Sequence, residues 1–326
     1  MKAIFLEKPG GPLIIKEVEI PVPSKGEVLV KIAAAPVNPS DIVRIKNAHS
    51  EYDLDTFIPG IEGSGTVIKA GRGILPGLWL GKRVACSSGN GSGGTWAEYM
   101  VTPAANCFPL SQKVSDEQGS MSLVNPLTAI AFFDIVKREG HKAVINNAAA
   151  SALGRMVELL GKRKSIPVIN IVRKKEQADT LRSLGSRHIL ISSDPLFTKQ
   201  LESLSAELKA TILFDSVCGR QFSDLISVLP YGSKVVVYGN LSGEEHPVFD
   251  PRVLLGKNIT IEGYYLANQA KENGMIRNIM NLRKVSQLMQ TGMTIKINRT
   301  FPLSEGQQAV DTYLENMSAG KVLLVP

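Results

Sequence analysis

Residues 143–175 read AVINNAAASALGRMVELLGKRKSIPVINIVRKK, and their pattern decides the fold. Residues 143–147 form a short apolar run. Leu153, Met156, Val157 and Leu160 follow at i, i+3, i+4 and i+7, the spacing of one buried helix face. Val168, Ile169, Ile171 and Val172 make a β-branched run suited to a strand covered on both faces. Strand, turn, helix and strand in that order predict a βαβ unit. Its helix N-terminus offers free N–H groups and a positive dipole end to a phosphate.

The turn, Asn147-Ala148-Ala149-Ala150-Ser151-Ala152-Leu153-Gly154, retains only the last glycine of a G-x-G-x-x-G fingerprint. The methyl groups of Ala149, Ala150 and Ala152 are expected to narrow the phosphate's approach. About 20 residues beyond Gly154, where an acidic residue would hold ribose hydroxyls, stand Arg173, Lys174 and Lys175. Cations there suit a 2′-phosphate, so NADPH is the expected cofactor. The bland alternative is a worn turn whose basic run is only a solvated surface.

Outward from this unit, the chain continues as alternating elements. After a helix at 127–138 and the opening unit, apolar runs recur at His188–Ser192, Thr211–Ser216, Lys234–Gly239 and Ile259–Tyr264. Helical stretches lie near 175–184, 195–207, 220–229 and 251–256. The alternation predicts a doubly wound parallel sheet of about six strands, with Asp215-Ser216-Val217 and Tyr238-Gly239-Asn240 along one crevice. The first third instead reads as short strands at 2–7, 13–20 and 27–34, then Pro59–Val67, Gly81–Ala85 and Gly94–Val101, as in a small barrel or sandwich. Ser40-Asp41 can cap a short helix after Pro36 and Pro39. The tail, with strand-like IKINRTF, a helix near 304–318 and a final Lys321–Val325 run, is expected to return to the first sheet. The expected class is α/β, with domains at 1–121 plus 295–326 and at 122–294.

The 326 residues are 44% hydrophobic and 21% charged, an ordinary globular composition. No apolar run reaches the ~20 residues of a membrane span, so no membrane association is expected. The opening MKAIFLEKPG is strand-like at once, so neither a signal nor a transit peptide is expected, and a cytoplasmic location is the default. Cys86, Cys107 and Cys218 are too scattered for a disulfide framework or a zinc cluster. A net charge of +7 with only 6% aromatics fits an anionic coenzyme better than nucleic acid.

Several stretches resemble the medium-chain dehydrogenase/reductase superfamily across nearly the whole chain: the opening MKAIFLEKPGGPLIIKEVEIPVPSKGEVLVKIAAAPVNPSD, PGIEGSGTVIKAG, GTWAEYMV and NPLTAI. The resemblance implies a β-rich GroES-like domain plus a Rossmann domain, and commonly a homodimer. Its zinc-dependent alcohol dehydrogenases carry a cysteine where this chain has Asn38, and G-H-E where it has Gly60-Ile61-Glu62. They also have a four-cysteine lobe missing here. A zinc-free member is therefore expected. Asn147, Ala148, Ser151 and Gly154, with Val124–Ala129 and Ile169–Arg173, look more like the mitochondrial-type 2-enoyl thioester reductases than the zeta-crystallin-like quinone oxidoreductases.

That resemblance implies NADPH-dependent reduction of an activated C=C bond, most simply that of a 2-enoyl thioester. Quinone reduction, or a degenerate nucleotide-binding protein without catalysis, remains the alternative. The enoyl reductases' proton-donating tyrosine sits in a G-T-Y-P segment. Here the corresponding residues are Asn47-Ala48-His49-Ser50-Glu51-Tyr52-Asp53; an ungapped count puts His49 at the tyrosine's place and Tyr52 three residues later. Tyr52 is the donor candidate and His49 the other, while Asn38 would reach a substrate carbonyl or cofactor ribose. The resemblance assigns Asn125 and Thr128 to the nicotinamide side and Ala150, Ser151, Ala152, Leu153 and Gly154 to the pyrophosphate. Arg173, Lys174 and Lys175 would take the 2′-phosphate. Tyr238, Gly239, Asn240, Leu241, Tyr264, Tyr265 and Leu266 would line the nicotinamide half, with Lys321 nearby.

Overall fold

The computed structural model describes residues 1–8, 11–51, 57–89, 93–244 and 247–326, with backbone alone at 47–51. The chain divides into two compact units, one of Met1–Val124 with Ile279–Pro326 and one of Asn125–Asn278.

The first unit opens with β1 (Lys2–Leu6) and β2 (Leu13–Glu17), an antiparallel pair. Next come β3 (Glu27–Pro36), α1 (Pro39–Glu51), β4 (Glu62–Ala70), α2 (Ile74–Trp79), β5 (Arg83–Ser87), β6 (Tyr99–Pro103), β7 (Cys107–Pro109) and α3 (Asp116–Ser120). Two strands are shorter than their apolar runs imply: β2 ends at Glu17, and of Gly94–Val101 only the part from Tyr99 joins a ladder. Thr95 and Trp96 are fully buried instead, with Thr95 Oγ1 donating to the Glu62 carbonyl at 2.7 Å.

The second unit begins within α4 (Val124–Glu139) and holds β8 (Ala143–Asn146), α5 (Ala152–Lys164), β9 (Val168–Val172), α6 (Lys175–Ser183), β10 (His188–Ile191), α7 (Phe197–Leu208), β11 (Ala210–Asp215), α8 (Gly219–Val228), β12 (Lys234–Val237), α9 (Arg252–Lys257) and β13 (Thr260–Gly263). Its six strands run parallel in the order β10-β9-β8-β11-β12-β13. Every residue of β8 and β9 is buried, the consequence of helices on both faces. The chain winds outward from β8 to β10, then crosses back to β11. The order therefore reverses between β8 and β11, the place where an open sheet of this kind leaves a crevice at its strand ends.

A helix that the hydrophobic spacing did not announce follows: α10 (Leu266–Gln290), interrupted at Gly274, where φ is 70° and ψ 170°. Its apolar residues do not form one buried stripe. Met275, Ile276, Ile279 and Met280 are exposed while Asn281 is buried, so the 3.6-residue signal was weak. The second division between units falls inside this helix, ahead of Ile295. The return comprises β14 (Ile297–Pro302), α11 (Gly306–Glu315) and β15 (Lys321–Val325). The β15 strand pairs antiparallel with the end of β3, giving the order β14-β15-β3-β4-β5-β7, and β6 pairs antiparallel with the start of β3 at Glu27–Lys31.

Candidate active site

In the second unit, Ser151 caps α5, its Oγ accepting the Gly154 N–H at 3.0 Å. Ala148 takes a left-handed φ of 48° and accepts the Ser151 N–H at 2.9 Å, closing the turn. Gly154 is required: a Cβ there would lie 2.6 Å from both the Ala148 oxygen and the Ala149 Cα. The expected narrowing by the alanine methyls is relieved at two positions. Ala149 and Ala150 are buried in a small core with Val172, Ala178 and Leu181, and only Ala152 is half-buried on the helix's first turn. The turn's side chains thus pack toward α6, and its backbone supplies the polar groups.

The opposite wall of the reversal point is a polar network. Asn147, fully buried, donates from Nδ2 to Asp215 Oδ1 and accepts the Ser216 N–H at 2.9 Å. Asp215 Oδ1 also accepts from the N–H groups of Val217 and Cys218, at 2.9 and 3.2 Å. Its Oδ2 is buried with no partner among the described residues. Behind the turn, Asn146 Nδ2 donates to the Gly154 carbonyl at 3.1 Å and to Asn170 Oδ1 at 3.0 Å; Asn170 in turn donates to Glu158 Oε2 at 2.6 Å. None of these residues carries a local sequence pattern that announces this role. The only signal was polar residues inside otherwise apolar strands.

Tyr238 and Tyr264, at the ends of β12 and β13, pack on Phe132, with ring centroids 5.0 and 5.2 Å away, and Phe132 stacks on Phe214 at 4.1 Å. Burial pushes both phenols above their usual range; Ser216 beside Tyr238 and Thr128 beside Tyr264 pull the other way. Neither therefore supplies a phenolate near neutrality. Gly239 lies close to Ser216, Leu241 donates its N–H to the Ser216 carbonyl at 2.8 Å, and Asn240 is exposed. Tyr265 is exposed, Leu266 half-buried at the start of α10, Asn125 half-buried and Thr128 buried on α4. Arg173, Lys174 and Lys175 stand exposed past β9. Gln177 Oε1 accepts the N–H groups of the first two, at 3.1 Å each, so their side chains stay clear of the capping role. Among the described residues no carboxylate pairs with any of the three cations.

In the first unit, Asn38, Asp41, Glu62 and Lys321 come together with at most 2% exposure each. The Lys321 ammonium donates to Asn38 Oδ1, and Asn38 Nδ2 donates to Glu62 Oε1 at 3.1 Å. Asn38 lies directly before α1, with Pro39 at the first helical position, and Asp41 Oδ2 accepts the Asn38 N–H at 2.9 Å. Burial raises the Asp41 carboxyl to about 7, and Lys321 and the Asn38 N–H pull against it. Both ends of the Asn38 amide are thus engaged within the protein. His49 lies on α1, its side chain outside the described residues, and Tyr52 lies wholly outside them. Among the described residues no three His, Cys, Asp or Glu side chains gather as metal ligands, and the Lys321 ammonium is held by Asn38 Oδ1 beside the two carboxylates.

Residues 24–112 match the alcohol dehydrogenase GroES-like domain family, and residues 152–281 the zinc-binding dehydrogenase family. A mitochondrial enoyl-[acyl-carrier-protein] reductase of Xenopus tropicalis is 27% identical over 99% of this chain and 95% of its own length. One from Arabidopsis thaliana is 30% identical over 81% of this chain and 72% of its own. The solved structure of a candidate NADPH:quinone reductase from Mesorhizobium loti superposes with a TM-score of 0.87 at 32% identity, covering 100% of this chain and 98% of that one. The GroES-like and Rossmann units anticipated from the sequence are thus both present, and the chain belongs to the medium-chain dehydrogenase/reductase superfamily of nicotinamide-dependent oxidoreductases.

Proposed function

We propose that this protein reduces the activated C=C bond of a 2-enoyl thioester with NADPH. The observation that carries the cofactor choice is the Ser151-capped turn together with Arg173, Lys174 and Lys175 at the end of the next strand, three exposed cations that pair with no carboxylate among the described residues. The turn's N–H groups and the α5 dipole suit a pyrophosphate, and a planar guanidinium with two ammonium groups suits a 2′-phosphate. Asp215 Oδ2, buried and without a partner among the described residues, is a further acceptor at the reversal of strand order that a bound ribose hydroxyl would satisfy. NADPH would supply hydride for the β-carbon; Tyr52 or His49 would give a proton to the α-carbon.

The thioester reading is supported by the enoyl-reductase relatives and by the Asn147–Gly154 turn. Quinone reduction is the second reading, favored by the name of the Mesorhizobium loti protein. Titration of NADPH by its fluorescence, followed by turnover of crotonyl-CoA against a quinone, tests both. No binding at millimolar NADPH sinks both, and turnover of the quinone alone removes the thioester.

A homodimer formed through β13 belongs to the same reading. This edge strand is exposed at every residue, with Val248, Leu255 and Ile261 exposed in the same unit. Light scattering of the wild type and of Leu255→Lys/Ile261→Lys should give a dimer and a monomer; a monomeric wild type refutes it.

A further inference from the structure

The buried quartet of the first unit has a charge arrangement that constrains what each member can do. Asp41 accepts the N–H of Asn38 on Oδ2 and that of Ile61 on Oδ1, both at 2.9 Å. Glu62 accepts Asn38 Nδ2 on Oε1, and on Oε2 the N–H groups of Leu123 and Val124 at 3.1 and 2.9 Å. Every one of these partners is an N–H donor, which favors the charged carboxylate and works against the burial that raises both pKa values. Two buried carboxylates without a counter-charge are strongly destabilizing. Lys321 is a cation buried beside them at 2% exposure; burial lowers its pKa, and Glu62 and Asp41 pull it back up.

The surrounding groups do not replace it. Arg44 faces Asp41 from α1 but is half-exposed, its guanidinium lying 5.6 Å from the Phe57 ring. Tyr313 faces Asp41 from α11, and Cys86 faces Glu62 from β5; burial raises both their pKa values, so both are neutral near pH 7. The ammonium also fixes the Asn38 amide. With Oδ1 against Lys321, Nδ2 must face Glu62, because the flipped amide would set donor against donor and acceptor against acceptor.

We propose that Lys321 is a positioning residue: the built-in counter-cation of Asp41 and Glu62, which through Asn38 fixes the start of α1. Asn38 is then a positioning residue too, rather than a group that touches the substrate carbonyl. The quartet ties together chain segments 283, 24 and 61 residues apart, the cross-linking that a bound metal ion provides in other proteins. Because α1 carries His49 toward its far end, a loosened start should disturb proton delivery; that consequence, unlike the charge role, rests on the reductase reading.

The test compares thermal unfolding of the wild type, Lys321→Met and Lys321→Met/Glu62→Gln from about pH 6 to about pH 9. Without the ammonium the carboxylates retain protons at low pH and repel at high pH. The Tm gap between wild type and Lys321→Met should therefore widen about two-fold or more as pH rises, and Glu62→Gln should recover part of it. A gap constant with pH, or losses that simply add in the double variant, overturns the proposal, since lost packing alone is insensitive to pH. Should Lys321→Met yield only aggregate, soluble double variant supports the counter-ion role and an equally insoluble one refutes it. In folded variants, kcat for crotonyl-CoA should fall. A wild type inactive on crotonyl-CoA removes the thioester reading and leaves the melting result to decide the charge role.

Discussion

Asn147 and Asp215 hold the ends of β8 and β11 together across the point where the parallel sheet reverses its order, Asn147 Nδ2 donating to Asp215 Oδ1. Both are fully buried. Asn147→Ala removes that donor and the acceptor of the Ser216 N–H, and should cost about 2 kcal/mol in urea unfolding. Asn147→Asp should cost more, because it sets a second carboxylate against Asp215.

Gly154 tolerates no side chain, since the neighboring atoms are backbone rather than a flexible side chain. Gly154→Ala should destabilize by about 1–3 kcal/mol and weaken NADPH binding by displacing the Ala148–Ser151 turn. Unchanged binding would mean that the turn does not contact the cofactor.

Cys218, at the cap of α8, has φ 55° and ψ −141°, a region suited to glycine. Cys218→Gly should stabilize by about 1 kcal/mol, measured by thermal unfolding. Loss of the contact from Cys218 Sγ to the Gly239 carbonyl, at 3.2 Å, is a smaller term.

Asp41 titrates upward on folding, from 3.8 to about 7, chiefly through burial. A raised carboxyl pKa favors the folded state below the unfolded value, and that contribution is lost as pH rises through about 7. Asp41→Asn should flatten the stability curve between about pH 4 and about pH 7, on top of a constant cost of about 1–3 kcal/mol for turning an amide donor toward an N–H. An unaltered slope would show that Asp41 does not titrate there.

Arg173 is exposed and its side chain pairs with no carboxylate among the described residues. If it holds a 2′-phosphate, Arg173→Ala should weaken NADPH by about 10- to 100-fold, one charge-assisted bond, and leave NADH nearly unchanged. Equal losses for both would refute the role.

The βαβ unit was legible because its signals are local. Leu153, Met156, Val157 and Leu160 are all buried, as their spacing required, and the β-branched run of β9 is buried throughout. The alternation that follows led to six parallel strands. By contrast, α10 escaped because Gly274 interrupts it and its apolar residues are scattered around its surface.

The two-unit plan, the parallel sheet and the basic end of β9 can be read from the chain because each depends on the order and period of its residues. The burial of the alanine methyls of 149 and 150, and the meeting of Asp215 with Asn147, follow from packing between distant segments. It alone brought Lys321 from 283 residues away onto Asn38 between two buried carboxylates. The physical reason is that burial and pairing of polar groups arise from segments remote in sequence. A lone Asn, Glu or Lys carries no local period to reveal its partner.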